Sequence, residues 1–229
     1  MTAVTRFGAL RVVVPPGVYA PRSDTALLAE HLPPAERVLE LCTGTGALAL
    51  TAAARGARRV VAVDRSARAV LAARLNARLN GLDVEVRSGD LFGALRPGER
   101  FDLILANPPY LPAPGVARPD HRWDAGTDGR AVLDRILAQA PERLRPGGTL
   151  AIVQSALAGT ERTVEILRAR GLAVAEPVEA PGTVGPIVAA RRPALVGLGL
   201  MDAGQDTETL AVITARALPV APAPTRKAA

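Results

Sequence analysis

From about residue 37 the apolar positions fall into short β-rich runs separated by stretches of helical spacing. "RVLEL" (37–41) reads as a first strand, "ALALTAAARG" (47–56) as a helix, "RRVVAVD" (58–64) as a second strand, and "SARAVLAARLNARLNG" (66–81) as a helix stopped by Gly81. Strands "VEVRS" (84–88) and "FDLILA" (101–106) follow, then a helix over 129–144 and a strand "TLAIVQ" (149–154) after the turn "RPGG". A helix at about 160–170 and a strand "LAVAEPV" (172–178) come next. This alternation predicts an α/β protein with a doubly wound, mostly parallel sheet and helices on both faces. After Val178 the pattern weakens. Residues 180–205 read as an inserted loop and short helix, "TLAVITARA" (209–217) as a final antiparallel strand, and 218–229 as a disordered tail. Residues 1–36 are expected to form a segment that covers the substrate and cofactor side of a 37–217 domain.

Composition narrows the class. A chain of 229 residues fits one domain of ordinary size. Cys42 is the only cysteine, and His31 and His121 lie far apart, so neither a disulfide nor a cysteine-rich metal site is expected. The N-terminal stretch has no long apolar run of the kind a signal peptide needs, and no later run reaches the roughly 20 residues that span a bilayer. The expectation is a reduced, metal-free, cytoplasmic protein. A net charge of +6 suits an acidic partner such as nucleic acid, but the arginines are spread over many segments and aromatics make up 3%, which leaves few platforms for stacking bases.

Chemistry enters at the strand ends. "LELCTGTGALAL" (39–50) places Gly44 and Gly46 in the turn between the first strand and first helix, where glycine permits a tight turn and close approach of a nucleotide-like ligand. Gly44, Gly46 and Ala49 also satisfy the looser dinucleotide pattern, with Asp64 at the end of the second strand placed for ribose hydroxyls. These features alone fit a nicotinamide enzyme as well as one using S-adenosylmethionine. Two others favour the latter. Glu40 stands before the loop, where its carboxylate could hold the loop or meet a sulfonium and its amino group, and Asp90 in "SGDLF" (88–92) could accept a hydrogen bond from an adenine amino group. Helix caps and turns are the plain alternatives for Asp64 and Asp90.

"DLILANPPYLP" (102–112) runs an apolar strand into Asn107, Pro108, Pro109 and Tyr110. The prolines fix φ and remove N–H donors, leaving stiff backbone with carbonyls free to face a substrate. If the Asn107 side-chain oxygen and the Pro108 carbonyl accept the two N–H bonds of a planar amide or aromatic amine, that nitrogen is held with its lone pair toward a methyl donor. Positive charge developing on it strengthens both bonds, so prior deprotonation is not required. Tyr110 would supply a flat platform. An asparagine-capped turn is the alternative.

Together these motifs resemble the class I S-adenosylmethionine-dependent methyltransferases of the HemK/PrmC family. "VYAPRSDTALLAEHL" (18–32) is similar to that family's segment before the glycine loop, and "WDAGTDGRAVLDRIL" (123–137) to its segment after the catalytic loop. The resemblance implies S-adenosyl-L-methionine as cofactor, with Asp24, Thr25, Glu40, Gly44, Gly46, Asp64, Asp90, Leu91 and Asn107 around it, and Asn107, Pro108 and Tyr110 on the acceptor. It implies no metal. Members methylate the glutamine of the Gly-Gly-Gln motif in translation release factors, which makes a release factor the favoured protein substrate. With 36 residues before the first sheet strand, the chain is similar to the short branch of archaeal and eukaryotic enzymes, some of which need a small activating partner. N6-adenine or other nucleic-acid amine methylation and small-molecule or peptide methylation are the alternatives. Cys42 is expected to be buried and inert, His31 to end a helix, and His121 and Trp123 to lie in a loop that covers substrate or simply faces solvent.

Overall fold

The computed structural model describes residues 3–219. Five parallel strands, β3 (Arg37–Leu41), β4 (Arg59–Asp64), β5 (Glu85–Ser88), β6 (Phe101–Ala106) and β7 (Leu144–Ser155), form the body of the sheet. The long strand β10 (Thr207–Ala217) runs antiparallel to β7. With β8 (Leu172–Val174) at the far edge, the order is β5-β4-β3-β6-β7-β10-β8, and the switch point lies between β3 and β6. Strand alternation sends Val38, Val60, Ala62, Leu103 and Leu105 to one face, where helices α1 (Ser23–Glu30), α2 (Ala47–Ala54) and α3 (Ala67–Asn80) cover them. Leu39, Leu41, Val61, Val63 and Ile104 face the other side, under α4 (Leu133–Arg143) and α5 (Thr160–Ala169). Both faces are thus buried, which is why the parallel strands read as near-continuous apolar runs.

The helix ends follow from local chemistry. At the start of α3 the Ser66 hydroxyl accepts from the Ala69 N–H at 3.4 Å, and Gly81 closes the helix in the left-handed region at φ +63.

Three elements depart from the sequence expectation. The first is an antiparallel hairpin, β1 (Ala3–Phe7) and β2 (Leu10–Val14), in a stretch to which no element was assigned. Leu10 and Val12 pack on Leu50 and Ala77, and two asparagines of α3 complete the free edge of β2. Asn80 accepts from Arg11 N–H at 2.9 Å and donates to Arg11 C=O at 2.8 Å. Asn76 accepts from Val13 N–H at 2.8 Å and donates to Val13 C=O at 3.0 Å. Two residues of strand advance about 6.8 Å and four residues of helix about 6.0 Å, so amides at i and i+4 match a strand's polar groups as a neighbouring strand would.

The second departure is the run predicted as one strand at 172–178, which splits into β8 (Leu172–Val174) and β9 (Val178–Thr183). Both pair antiparallel with β10, at its end and its beginning respectively. The expected insertion at about 180–205 therefore starts inside the sheet and continues as a twelve-residue helix, α6 (Pro186–Gly197). The third is a shift of boundary: α4 begins at Leu133 rather than 129, because Gly129 sits at φ +77. The tail at 220–229 lies outside the described residues, while Leu218 and Pro219 are exposed coil.

Candidate active site

The carboxyl ends of β3, β4, β5 and β6 open onto one cavity of about 1210 Å³. Val18 and Tyr19 of the N-terminal segment close one side, and residues 182–188 at the start of α6 close another.

In the half of the cavity beside β3 and β4, Glu40 lies buried on the α2 face of the sheet. One of its oxygens accepts from the Ala49 N–H at 3.0 Å and from the Thr43 hydroxyl, so the carboxyl group occupies the N-terminus of α2. Burial, partly offset by these hydrogen bonds, pushes its pKa up to about 8. The loop N–H groups are also used internally: Thr43 to Val63 C=O at 3.0 Å, Gly44 to Asp64 Oδ2 at 2.9 Å, Gly46 to Thr43 C=O at 2.8 Å. This decides between the two readings of the glycine loop. A dinucleotide needs free N–H groups at the helix N-terminus for its pyrophosphate, and here the protein's own carboxyl group has taken that place. A ligand whose cationic amino acid end and ribose hydroxyls donate fits the acceptors that Glu40 and Asp64 present instead.

Asp64 holds the loop through Gly44 and the Ser66 N–H, the latter at 2.9 Å on the other oxygen, and each oxygen keeps a lone pair for a hydroxyl. Burial raises its pKa above the usual carboxylate value. Asp90 lines the cavity but is exposed, and both oxygens meet the Arg135 guanidinium, whose hydrogen bonds hold the carboxyl below its usual range. A purine amino group would have to share it with that arginine. Gly44 and Gly46 sit at φ +55 and +85, and a Cβ on Gly46 would lie 3.2 Å from that of Ala73, so glycine here serves both the turn and the close packing of α3.

Two non-glycine residues have positive φ among the described residues, Cys42 at +57 and Leu91 at +49. Both line the cavity. Such backbone costs on the order of 1–3 kcal/mol each and persists where surrounding structure imposes it. Cys42 is partly exposed rather than buried as expected, while desolvation and the neighbouring carboxyl groups push its thiol pKa up. It is therefore a poor thiolate.

In the other half of the cavity, Asn107 stands at the end of β6, and its Nδ2 donates to Thr25 Oγ1 at 3.1 Å. No donor among the described residues reaches its Oδ1 or the Pro108 carbonyl. Asp24 Oδ2 accepts from the Tyr110 hydroxyl at 2.8 Å and from the Tyr19 hydroxyl at 2.7 Å. These are the only two tyrosines in the chain. Burial first, and Asp24 second, raise both phenol pKa values, so each hydroxyl remains a donor. Tyr110 is only 9% exposed, packed among the core with its hydroxyl tied down; in this arrangement it braces the loop and offers little open ring face.

The loop after Tyr110 is fixed from several directions. Leu111 N–H donates to Trp123 C=O at 2.8 Å and Ala125 N–H to Leu111 C=O at 3.0 Å. Arg191 of α6 reaches Asp124 at 2.7 Å and the Pro112 carbonyl at 2.9 Å, which binds the inserted helix to this loop. At Gly129 a Cβ would fall 2.3 Å from the Tyr110 carbonyl oxygen, so the glycine of "TDGR" is a steric requirement of the loop after β6. Arg122 stacks on Trp123 at 4.1 Å, and Trp123 and His121 line the cavity. His31 caps α1, as expected, its Nδ1 2.8 Å from the Leu27 carbonyl oxygen.

The structure thus gathers the predicted site residues around one cavity, except Gly46, which packs against Ala73 of α3 instead of lining it. Tyr19, Asn76, Gly129 and Arg191 were missed. Tyr19 carried a signal, since it precedes Asp24 by five residues; the other three depend on contacts between distant segments.

The strand order, the cavity at its switch point and the carboxyl groups around the glycine loop define a class I S-adenosylmethionine-dependent methyltransferase. The chain belongs to the methyltransferase small domain family, whose model matches residues 9–170. A Methanocaldococcus jannaschii protein named provisionally as a protein N5-glutamine methyltransferase is 36% identical over 171 residues, covering 72% of this chain and 86% of that one. A release factor glutamine methyltransferase of Mycolicibacterium smegmatis is 40% identical over 66% of this chain and 59% of its own. A ribosomal protein uL3 glutamine methyltransferase of Bradyrhizobium diazoefficiens is 44% identical over 56% of this chain and 43% of its own. The chain therefore spans about half the length of these two bacterial relatives. Among solved structures, a T. thermophilus 16S rRNA methyltransferase in complex with AdoMet and guanosine superposes with a TM-score of 0.61 at 25% identity, covering 95% of this chain and 50% of that one. The E. cuniculi Mtq2–Trm112 complex, responsible for methylation of the eRF1 termination factor, superposes with a TM-score of 0.57 at 21% identity over 88% and 99%. Among the described residues, no helix is long and apolar enough to cross a membrane.

Proposed function

We propose that this chain transfers a methyl group from S-adenosylmethionine to the side-chain nitrogen of a protein glutamine, with the Gly-Gly-Gln glutamine of a translation release factor as substrate. The observation that carries the reading is the pair of unengaged acceptors, Asn107 Oδ1 and the Pro108 carbonyl, at the end of β6 on the cavity. A primary amide has two N–H donors and a delocalised lone pair. Two fixed acceptors hold it by both protons, and the positive charge that develops on nitrogen strengthens those bonds in the transition state. No base is needed before attack: the C–S bond breaks as the C–N bond forms, and the alkylated nitrogen, then strongly acidic, loses one of its two protons to solvent water, since the tyrosines beside the site are themselves donors. Glu40 and Asp64 would hold the cationic end and the ribose of the cofactor, which supplies the methyl group when bound. The names of the three relatives support glutamine over other planar nitrogens.

The test is labelled-methyl transfer by the purified chain to release factor, ribosomal protein uL3, RNA and DNA, for wild type and Asn107→Ala. Label on the release factor glutamine, lost in the variant, is expected. Label on uL3 would keep the chemistry and change the protein; label on nucleic acid alone would overturn the reading. The E. cuniculi protein acts within a complex, so the same assay is run with cell extract added. Transfer only in its presence would assign an activating subunit to this chain.

A further inference from the structure

We infer that Thr25 and Asp24 are positioning residues that decide which end of the Asn107 amide faces the acceptor. The inference rests on the reading that Asn107 holds the acceptor nitrogen, and it follows from proton counting. Asp24 is buried, and as a carboxylate it only accepts. It takes the Thr25 N–H at 2.6 Å, the Thr25 hydroxyl at 3.1 Å, and the Tyr19 and Tyr110 hydroxyls at 2.7 and 2.8 Å. Thr25 has one hydroxyl proton, and Asp24 holds it. The Thr25 oxygen can then present only lone pairs to its other neighbours, and it accepts the Arg22 N–H at 3.4 Å and Asn107 Nδ2 at 3.1 Å. An Asn107 amide turned the other way would bring two oxygens together with no proton between them. Its Oδ1 is therefore directed at the cavity, where a substrate amide needs an acceptor. Turned over, it would meet a substrate NH₂ with an NH₂ of its own.

The direction of the chain is set by the carboxylate and passed on by one hydroxyl, across 82 residues of sequence. Burial of the two phenols keeps both as donors to Asp24, which secures its role as sole acceptor. This gives Thr25 a task other than cofactor contact.

The variants are Thr25→Val, Thr25→Ser and Asp24→Asn, read by acceptor kinetics, calorimetric S-adenosylmethionine binding, and proton exchange of the Asn107 side-chain amide by ¹⁵N NMR. In wild type, slow exchange of one Asn107 amide proton is expected. Thr25→Val should abolish that protection and lower kcat/KM for the acceptor, at saturating S-adenosylmethionine, by roughly 10- to 100-fold through loss of positioning. Thr25→Ser should restore both. In Asp24→Asn the new side chain can donate to Thr25, reversing the chain, and transfer should fall without rescue. Unprotected Asn107 protons in wild type, full transfer by Thr25→Val or Asp24→Asn, or weakened cofactor binding by Thr25→Val with Asn107 still protected would each overturn the inference. The NMR arm needs no acceptor, so it stands even if transfer to a release factor fails.

Discussion

Glu40 couples cofactor binding to pH in a way that can be worked out in advance. Its pKa in the free protein is about 8, because the carboxyl group is buried with no cation beside it. A ligand that brings a sulfonium and an ammonium into the cavity favours the ionised form. At pH 7 binding must first remove a proton from a group whose pKa lies about one unit higher, which costs about 1.4 kcal/mol, or a factor of about ten in Kd. S-adenosylmethionine should therefore bind about tenfold more tightly at pH 9 than at pH 7 through this group alone, with a further factor of about ten lost per unit below pH 7. The cofactor's own amino group titrates near pH 7.7–8.0 and acts in the opposite direction. Glu40→Gln separates the two, since the glutamine carbonyl can still accept from Ala49 and Thr43 while carrying no titration. Calorimetry in buffers of different ionisation enthalpy measures the result: wild type should release close to one proton on binding at pH 7, and the variant should not. For the ligand-free fold the raised pKa has the matching sign. The stability it confers is complete below the ordinary glutamate pKa and is lost as pH rises through about 8. Parallel pH profiles for wild type and variant, or proton uptake on binding, would refute the account.

Other outcomes follow from single contacts. Asn76→Ala leaves the Val13 N–H, the Val13 carbonyl and the Thr45 carbonyl without their partner, and should cost on the order of 2–4 kcal/mol by denaturant midpoint. Asn80→Ala, at a more exposed pair of bonds, should cost about 1 kcal/mol or less. Gly129→Ala forces the Tyr110 carbonyl to move by at least the overlap of a 2.3 Å contact, so methyl transfer should collapse while cofactor binding, measured by calorimetry, persists. Arg191→Met leaves Asp124 buried without its cation and leaves α6 held to the loop after β6 by apolar packing alone; acceptor KM should rise, and stability should fall by about 3 kcal/mol or more.

Most of the sheet and the strand-end residues of the cavity were legible because each is written locally. Apolar runs gave the parallel strands, and glycines or carboxylates at the ends of those runs gave the ligand edge, since strand ends on one side of such a sheet converge. The Asn76 and Asn80 ladder was not legible. Within "ARLNARLN" the asparagines satisfy a helix pattern as surface residues, and their use appears only when β2, more than 60 residues earlier, is laid beside them. The left-handed backbone at Cys42 and Leu91 was equally hidden, because neither residue type advertises it.

The misread segment after β8 shows the same limit from the other side. "VEAPGT" contains Pro181 and Gly182, which argue against a strand under any rule that assumes a central position. In the fold β9 is an edge strand whose only partner among the described residues is β10, where Pro181 lies opposite Thr209. An edge strand needs hydrogen bonds on one side only, so a missing N–H is tolerated there and also discourages pairing with other chains. The same strand carries the chain over the cavity and into α6, whose Arg191 then pairs with Asp124 in the loop after β6. This side of the cavity is thus closed by a strand that breaks the sequence rules for strands, and by a helix held through a buried apolar cluster with Leu111 and Leu157 and an ion pair to a loop about 70 residues before it. Local pattern identifies the chemistry at the strand ends, whereas the shape of the acceptor pocket is set by contacts that form only when the chain is folded.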